Sequence, residues 1–173
     1  NNIIYDINPG AGDHAGGLSF RGSGGQTVYV YNNTILNSYK GIHSDAANTG
    51  ITVIAKNNIS YNNTYNYAGI FAAVSTNNLS GPAQTNAPGS NPRNGATVTF
   101  VDEANRDLHL SSSDTGARDF GVTLSSDSLL ALSTDIDGTT RSAPYDIGAD
   151  ETSGGTPPPS DTSAPTVPTG LTA

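Results

Sequence analysis

Arg21, Lys40, His43 and Asp45 are the side chains whose types and spacing come nearest to a reactive or ligand-binding set. They belong to two of three short stretches of similar design, GGLSFR at 16–21, KGIHSD at 40–45 and AGIFAA at 68–73, each with a Gly followed by Leu or Ile. Aligned as copies of one strand, period-two alternation turns Leu18, Ile42 and Ile70 inward. It sets Ser19, His43 and Phe71 in one outward column and Arg21, Asp45 and Ala73 in the next, with Lys40 just ahead. An Asp on such a face can act as general acid or base, and an Arg can neutralise a ligand carboxylate. The same residues also read as a surface ion pair beside a solvated His, worth well under about 1 kcal/mol. This plainer reading is favoured, because glycosidic bond cleavage wants two carboxylates and the aligned columns supply only Asp45. DHAGG at 13–17 adds a second Asp and His, but the glycines around it mark a turn.

The elements that would position these residues announce themselves through a second repeat. Asn pairs occur as NNII at Asn1, NNTI at Asn32, NNIS at Asn57 and NNLS at Asn77, separated by 31, 25 and 20 residues. Two markers recurring in the same order define a unit of solenoid size. Within a unit Val28 and Val30 alternate with Tyr29 and Tyr31, and Ile51 and Val53 lead into the next Asn pair, which is strand periodicity. The expected fold is therefore all-β, a right-handed parallel β-helix whose coils stack equivalent residues about 4.8 Å apart. Asn33, Asn58 and Asn78 then form a structural ladder, each buried amide satisfied by its copies above and below.

The 173-residue chain contains 15 acidic and 7 basic residues, no Cys and a net charge of −8. Without a basic stripe it is not built for a nucleic-acid backbone. No apolar run reaches membrane-spanning length, and a disulfide framework or thiolate metal site is excluded. The repeat predicts β-helix coils over 1–96, ending in a Pro-, Gly- and Asn-rich connection. Residues 97–151 have too few apolar residues for a core of their own and are expected to pack on the coils as a cap. Residues 152–165 read as a Pro/Gly/Ser linker, and TVPTGLTA at 166–173 restarts a strand pattern. Beginning inside the repeat, without Met, the chain reads as part of a longer protein. The first coil, with Ile3, Ile4 and Ile7, presents an edge that upstream coils or another copy of the chain would cover, the latter by donation of the 166–173 strand.

In the C-terminal half, Phe100 and Asp102, then Asp107, His109 and Leu110, then Asp119 and Gly121, then Asp135, Asp137, Gly138 and Arg141, and finally residues 146–151 occur in a characteristic order. This order resembles the closing segment of secreted bacterial parallel β-helix proteins of the choice-of-anchor Q type. The step into Asp119 departs from it, reading SDTGARD where Ser-Pro-Ala-Ile-Asp is more usual. The start of the 160–173 stretch looks like the entry to a fibronectin type III module. Together these resemblances imply a secreted or cell-surface, modular protein that binds or processes polysaccharide. Pectate lyases and related glycosidases, similar in expected fold, work on an exposed sheet face, where Arg21 would meet a uronate carboxylate. Lyase or hydrolase activity can equally lie in coils upstream of this segment. The alternative is a structural or adhesive surface protein that assembles with copies of itself into fibres.

Three smaller features complete the reading. STDIDG at 133–138 has the oxygen spacing of half a Ca²⁺ loop but lacks its remaining acidic ligands. Asp135 and Asp137 are therefore read as organising a turn and pairing with Arg141, with no metal or other cofactor. Sequons begin at Asn32, Asn58, Asn62 and Asn78, three of them explained by the Asn repeat without glycosylation. Tyr29, Tyr31, Tyr39, Tyr61, Tyr65 and Tyr67 either stack on sugar rings or pack between coils.

Overall fold

The structure, a computed structural model, describes residues 1–7 and 16–152. The 166–173 strand, the linker after Thr152 and the Asp13–His14 pair lie outside the described residues. Apart from a one-turn helix α1 (Ala46–Thr49) and one 3₁₀ turn, the described elements are strands. They are β1 (Asn2–Tyr5), β2 (Leu18–Phe20), β3 (Thr27–Tyr31), β4 (Asn33–Leu36), β5 (Lys40–Ser44), β6 (Thr52–Lys56), β7 (Ile59–Tyr61), β8 (Tyr65–Gly69), β9 (Leu79–Gly81), β10 (Arg93–Asn94), β11 (Phe100–Asp102) and β12 (Asp107–Leu110). Three of the sheets are parallel, ordered β1-β4-β7-β9-β10, β2-β5-β8 and β3-β6, while β11 and β12 form an antiparallel pair. The chain visits the three parallel sheets in rotation, and parallel bridges at Lys56, Thr76 and Ser90 carry the third of them onward.

The two members of each Asn pair do different work. Asn32, Asn57 and Asn77 have φ of 52°, 53° and 51°, a left-handed conformation that Asn tolerates better than other side-chain-bearing residues. They turn the chain from the third sheet into the first. The second member starts the next strand and bonds along the stack. Asn33 Nδ2 donates to Asn58 Oδ1 at 2.9 Å, and Asn58 Nδ2 donates to Asn78 Oδ1 at 2.9 Å. The same oxygens accept the backbone N–H of Asn33 and of Asn58, both at 3.1 Å. Asn2 joins at the other end, its Nδ2 donating to Asn33 Oδ1 at 2.8 Å. Every link except that with Asn2 is buried, where an unmade bond is costly.

Each circuit of the chain is shorter than the one before. Register partners in the first sheet are Asn2 with Asn33, Thr34 with Ile59, Ile59 with Leu79 and Leu79 with Arg93. Corresponding separations run 31, 25, 20 and 14 residues. The interior changes with this taper. Ile35 stands in register with Ser60, and Ser60 with Ser80. Where Ile35 packs with Val30, Ile42, Val53 and Tyr67, the two serines form a polar network. Ser60 Oγ donates to the Asn66 carbonyl, Ser80 Oγ to Asn86 Oδ1, and Asn66 Nδ2 to Ser80 Oγ. Gln84 substitutes for a further strand on β8: its Oε1 accepts from Asn66 N–H and its Nε2 donates to the carbonyls of Asn63 and Thr64.

Residues 97–151 cover the outer faces of two sheets. Leu36, Ile59, Tyr61 and Leu79 pack with Val98, Phe100, Leu108, Leu110, Ala117 and Ile147. Tyr31 and Ile54 pack with Leu124 and Tyr145. Backbone bonds reinforce both contacts, with Gly148 N–H on the Asn57 carbonyl and Ala149 N–H on Thr34 Oγ1. Asn57 also exchanges two hydrogen bonds with the Val122 backbone, each 2.8 Å. Asn1 is tied to the same layer through Thr134 and Arg141. No helix among the described residues is long and apolar enough to cross a membrane.

Replacing Asn58 by Leu removes both an acceptor and a donor from the middle of the ladder: Asn33 N–H loses its acceptor, the Val30 carbonyl loses the Asn58 Nδ2 donor, and Asn78 Oδ1 keeps only the backbone N–H of residue 58. The expected loss is about 1–3 kcal/mol, read as a lower urea midpoint at unchanged slope. A variant melting like the wild type would refute a stabilising role for the ladder.

Candidate functional site

With two sheets covered, β2-β5-β8 is the parallel sheet whose outer face lies outside the apolar clusters built with residues 97–151. Its register pairs Leu18 with Ile42, Ser19 with His43, and Phe20 with Ser44. Continuing this offset sets Arg21 beside Asp45. Arg21 Nε donates to Asp45 Oδ2 at 2.8 Å, and Ser19 Oγ lies 3.1 Å from His43 Nδ1.

The third stretch departs from the expected alignment. Ile42 pairs with Tyr67, His43 with Ala68 and Ser44 with Gly69. Tyr67 is therefore the core residue, while Ile70 is 58% exposed and Phe71 falls outside the His43 column. Gly69 explains the shift. It sits at φ 91°, and a Cβ there would run into the Ser44 carbonyl. That Gly permits close approach of two backbones at the end of β8 and does not mark the start of an inward Ile.

Burial also corrects the expected solvent face. His43 and Asp45 are buried at 9% and 5% exposure, and only the Arg21 side chain, 58% exposed, reaches well into solvent. Helix α1 starts immediately after Asp45 and brings Asn48 back to it, so Asn48 Nδ2 donates to Asp45 Oδ1 at 2.6 Å. Both carboxylate oxygens are thus occupied. The Arg21 hydrogen bond, then that of Asn48, holds the Asp45 carboxyl below its ordinary range. An aspartate so held is a poor proton donor near neutrality, and the arrangement favours orientation over acid–base chemistry. At the other end of the sheet Lys40 is in register with Tyr65. Tyr65 is 47% exposed and meets Tyr39 edge-on, ring centroids 5.5 Å apart. Tyr29 is also exposed, whereas Tyr31, Tyr61 and Tyr67 are core residues. Among the sequons, Asn32, Asn58 and Asn78 are buried and Asn62 is exposed.

The 133–151 region holds a second constellation, and its pairing differs from expectation. Arg141 does not pair with Asp135 or Asp137. Its Nη1 meets Glu151 Oε2 at 3.1 Å, both side chains almost wholly buried, and its remaining donors reach the carbonyls of Gly148, Ala149 and Asp150. Burial pushes the Glu151 carboxyl up and the Arg141 guanidinium down. Asp135 organises the turn, its Oδ1 accepting the N–H of Asp137 and of Thr139 and its Oδ2 that of Glu151. Asp137 instead faces His109, with Nε2 to Oδ2 at 3.0 Å. His109 Nδ1 meets Asp107 Oδ1 at 2.5 Å. His109, Asp137 and Asp150 each offer a ligand atom, all within 4.8 Å of one another. Burial opposes charge on His109, but the Asp107 bond and the fields of Asp150 and Asp137 outweigh it and raise the imidazole above its ordinary value. Sequence reasoning named Asp137 but missed its partners, because His109 and Asp150 lie 28 and 13 residues away with no shared periodicity. Comparison with protein-family models, with curated proteins and with solved structures finds no match in any of the three.

The Arg21–Asp45 contact predicts a pH response. A depressed carboxyl contributes stability that is present above the unfolded Asp value of about 3.9 and is lost as pH falls through the folded value. In an NMR titration Arg21→Ala should raise the Asp45 midpoint toward that unfolded value. An unchanged midpoint would show that Arg21 does not hold the carboxylate.

Proposed function

We propose that residues 1–96 are the closing coils of a right-handed parallel β-helix, capped by residues 97–151, in a secreted modular protein that binds polysaccharide on its β2-β5-β8 side. The rotation of the chain through three parallel sheets supports the solenoid reading. The sequence order from Phe100 to Glu151 supports likeness to the choice-of-anchor Q group, and residues 160–173 support a following fibronectin-like module. One observation carries the binding reading. With the other two sheets under apolar layers, this sheet carries an exposed aromatic at one end, Tyr65 beside Tyr39 and in register with Lys40, and an exposed guanidinium at the other, Arg21. An aromatic face stacks on a pyranose ring, and guanidinium or ammonium groups pair with a uronate carboxylate.

Catalysis on this face finds little support. Asp45 is its sole aligned carboxylate and is committed to Arg21 and Asn48, so processing of the polymer is better assigned to coils elsewhere in a longer protein. The second reading, a structural or adhesive subunit, draws on the position of β1 at the end of its sheet, where another copy could add a strand.

Affinity electrophoresis in gels containing polygalacturonate or a neutral glucan tests the proposal. Retardation is expected, stronger for the uronate polymer, with no loss of polymer viscosity. Tyr65→Ala and Arg21→Ala should each weaken binding by about tenfold, the equivalent of roughly 1.4 kcal/mol. Unretarded wild-type protein, or retardation unchanged in the double variant, would refute the face. Sedimentation showing concentration-dependent fibres without glycan binding would favour the structural subunit.

A further inference from the structure

We infer that His109, Asp137 and Asp150 form a binding site for a divalent transition-metal ion, which clasps three separate segments of the 97–151 layer. Acidic side chains outnumber basic ones around His109. Asp107, Asp137 and Asp150 gather around one imidazole, and among the described residues no Lys or Arg forms an ion pair with any of them. Asp150 is only 7% exposed. Its Oδ2 accepts the Leu110 N–H at 2.7 Å. Charge on a carboxylate held so deep is costly, and a bound cation offsets that cost.

The imidazole is arranged as a ligand is. Asp107 takes Nδ1 and so orients the ring, with Nε2 directed at Asp137 Oδ2. Two lone pairs 3.0 Å apart repel unless a proton or a cation lies between them. A carboxylate behind the far ring nitrogen is the usual outer support of a metal-bound His. One imidazole with two carboxylates suits a borderline ion such as Zn²⁺ better than the oxygen-seeking Ca²⁺.

The ligands are also held before any ion arrives. His109 lies on β12, Asp137 in the turn that Asp135 organises, and Asp150 in the closing segment. Ile136 N–H bonds to the Ala149 carbonyl, and Glu151 N–H to Asp135 Oδ2, so the last two segments are joined on both sides of Asp150. Leu110 N–H on Asp150 joins the first to the third. A site cross-linked in this way offers geometry at little ordering cost.

Titration of the full chain with ZnCl₂ at mildly alkaline pH, followed by calorimetry and by the His109 ring signals in NMR, tests the inference. One equivalent is expected to bind with shifts at His109. Asp137→Asn, which keeps the turn because residue 137 joins it through a backbone N–H that donates to Asp135 Oδ1, should weaken binding at least tenfold while the fold remains intact by circular dichroism. His109→Ala should abolish the site, and His43→Ala should leave it unchanged. Absence of saturable binding, binding unaffected by Asp137→Asn, tighter binding of CaCl₂ than of ZnCl₂, or shifts confined to His14 or His43 would each overturn it.

Discussion

A buried carboxamide has no water to bond, and the Asn column at the corner of the first sheet survives only because each amide meets the next. Stacked parallel strands repeat at a fixed spacing, so one solution serves every circuit. Asn2, Asn33, Asn58 and Asn78 use the same bond. The corner residues ahead of them need a side chain that accepts positive φ, and Asn meets that need as well. One residue type thus sets both the turn and the register, and the apolar columns of the three sheets follow from it.

The shortening circuits impose a second constraint. An interior that narrows from one pass to the next cannot keep accepting aliphatic side chains, and Ile35 gives way to Ser60 and Ser80 in the same column. Small polar residues fit the space but bring donors and acceptors that must be paired. Asn63, Asn66 and Asn86 supply those partners. The same taper leaves β8 without a following strand, and the Gln84 side chain takes up the Asn66 N–H and the carbonyls just ahead of β8 in place of one.

Charge in the outer layer is handled differently from one site to the next. Arg141 and Glu151 are buried together and surrounded by carbonyl and amide partners, so both can remain ionised despite burial. Asp45 trades solvent for Arg21 and Asn48. The carboxylates around His109 have only one imidazole to share, and this shortfall is what sets that cluster apart from the two balanced ones.

Strand content, the corner positions and the Asn column are legible in the sequence, because they are periodic and each copy predicts the next. It also set Ser19 beside His43 and Arg21 beside Asp45, since the first two Gly-containing stretches are copies at a constant offset. Its reach ended where the period failed. Gly69 resembles Gly41 in sequence but serves a close backbone approach, so the third stretch slipped and Tyr67 rather than Ile70 entered the core. Burial of His43 and Asp45 depends on what packs over a strand, which alternation cannot reveal. The pairing of Arg141 with Glu151, and of His109 with Asp137 and Asp150, was decided by tertiary structure alone. Those contacts join irregular segments, where side-chain proximity follows from how the outer layer folds over the sheets and no spacing along the chain encodes it.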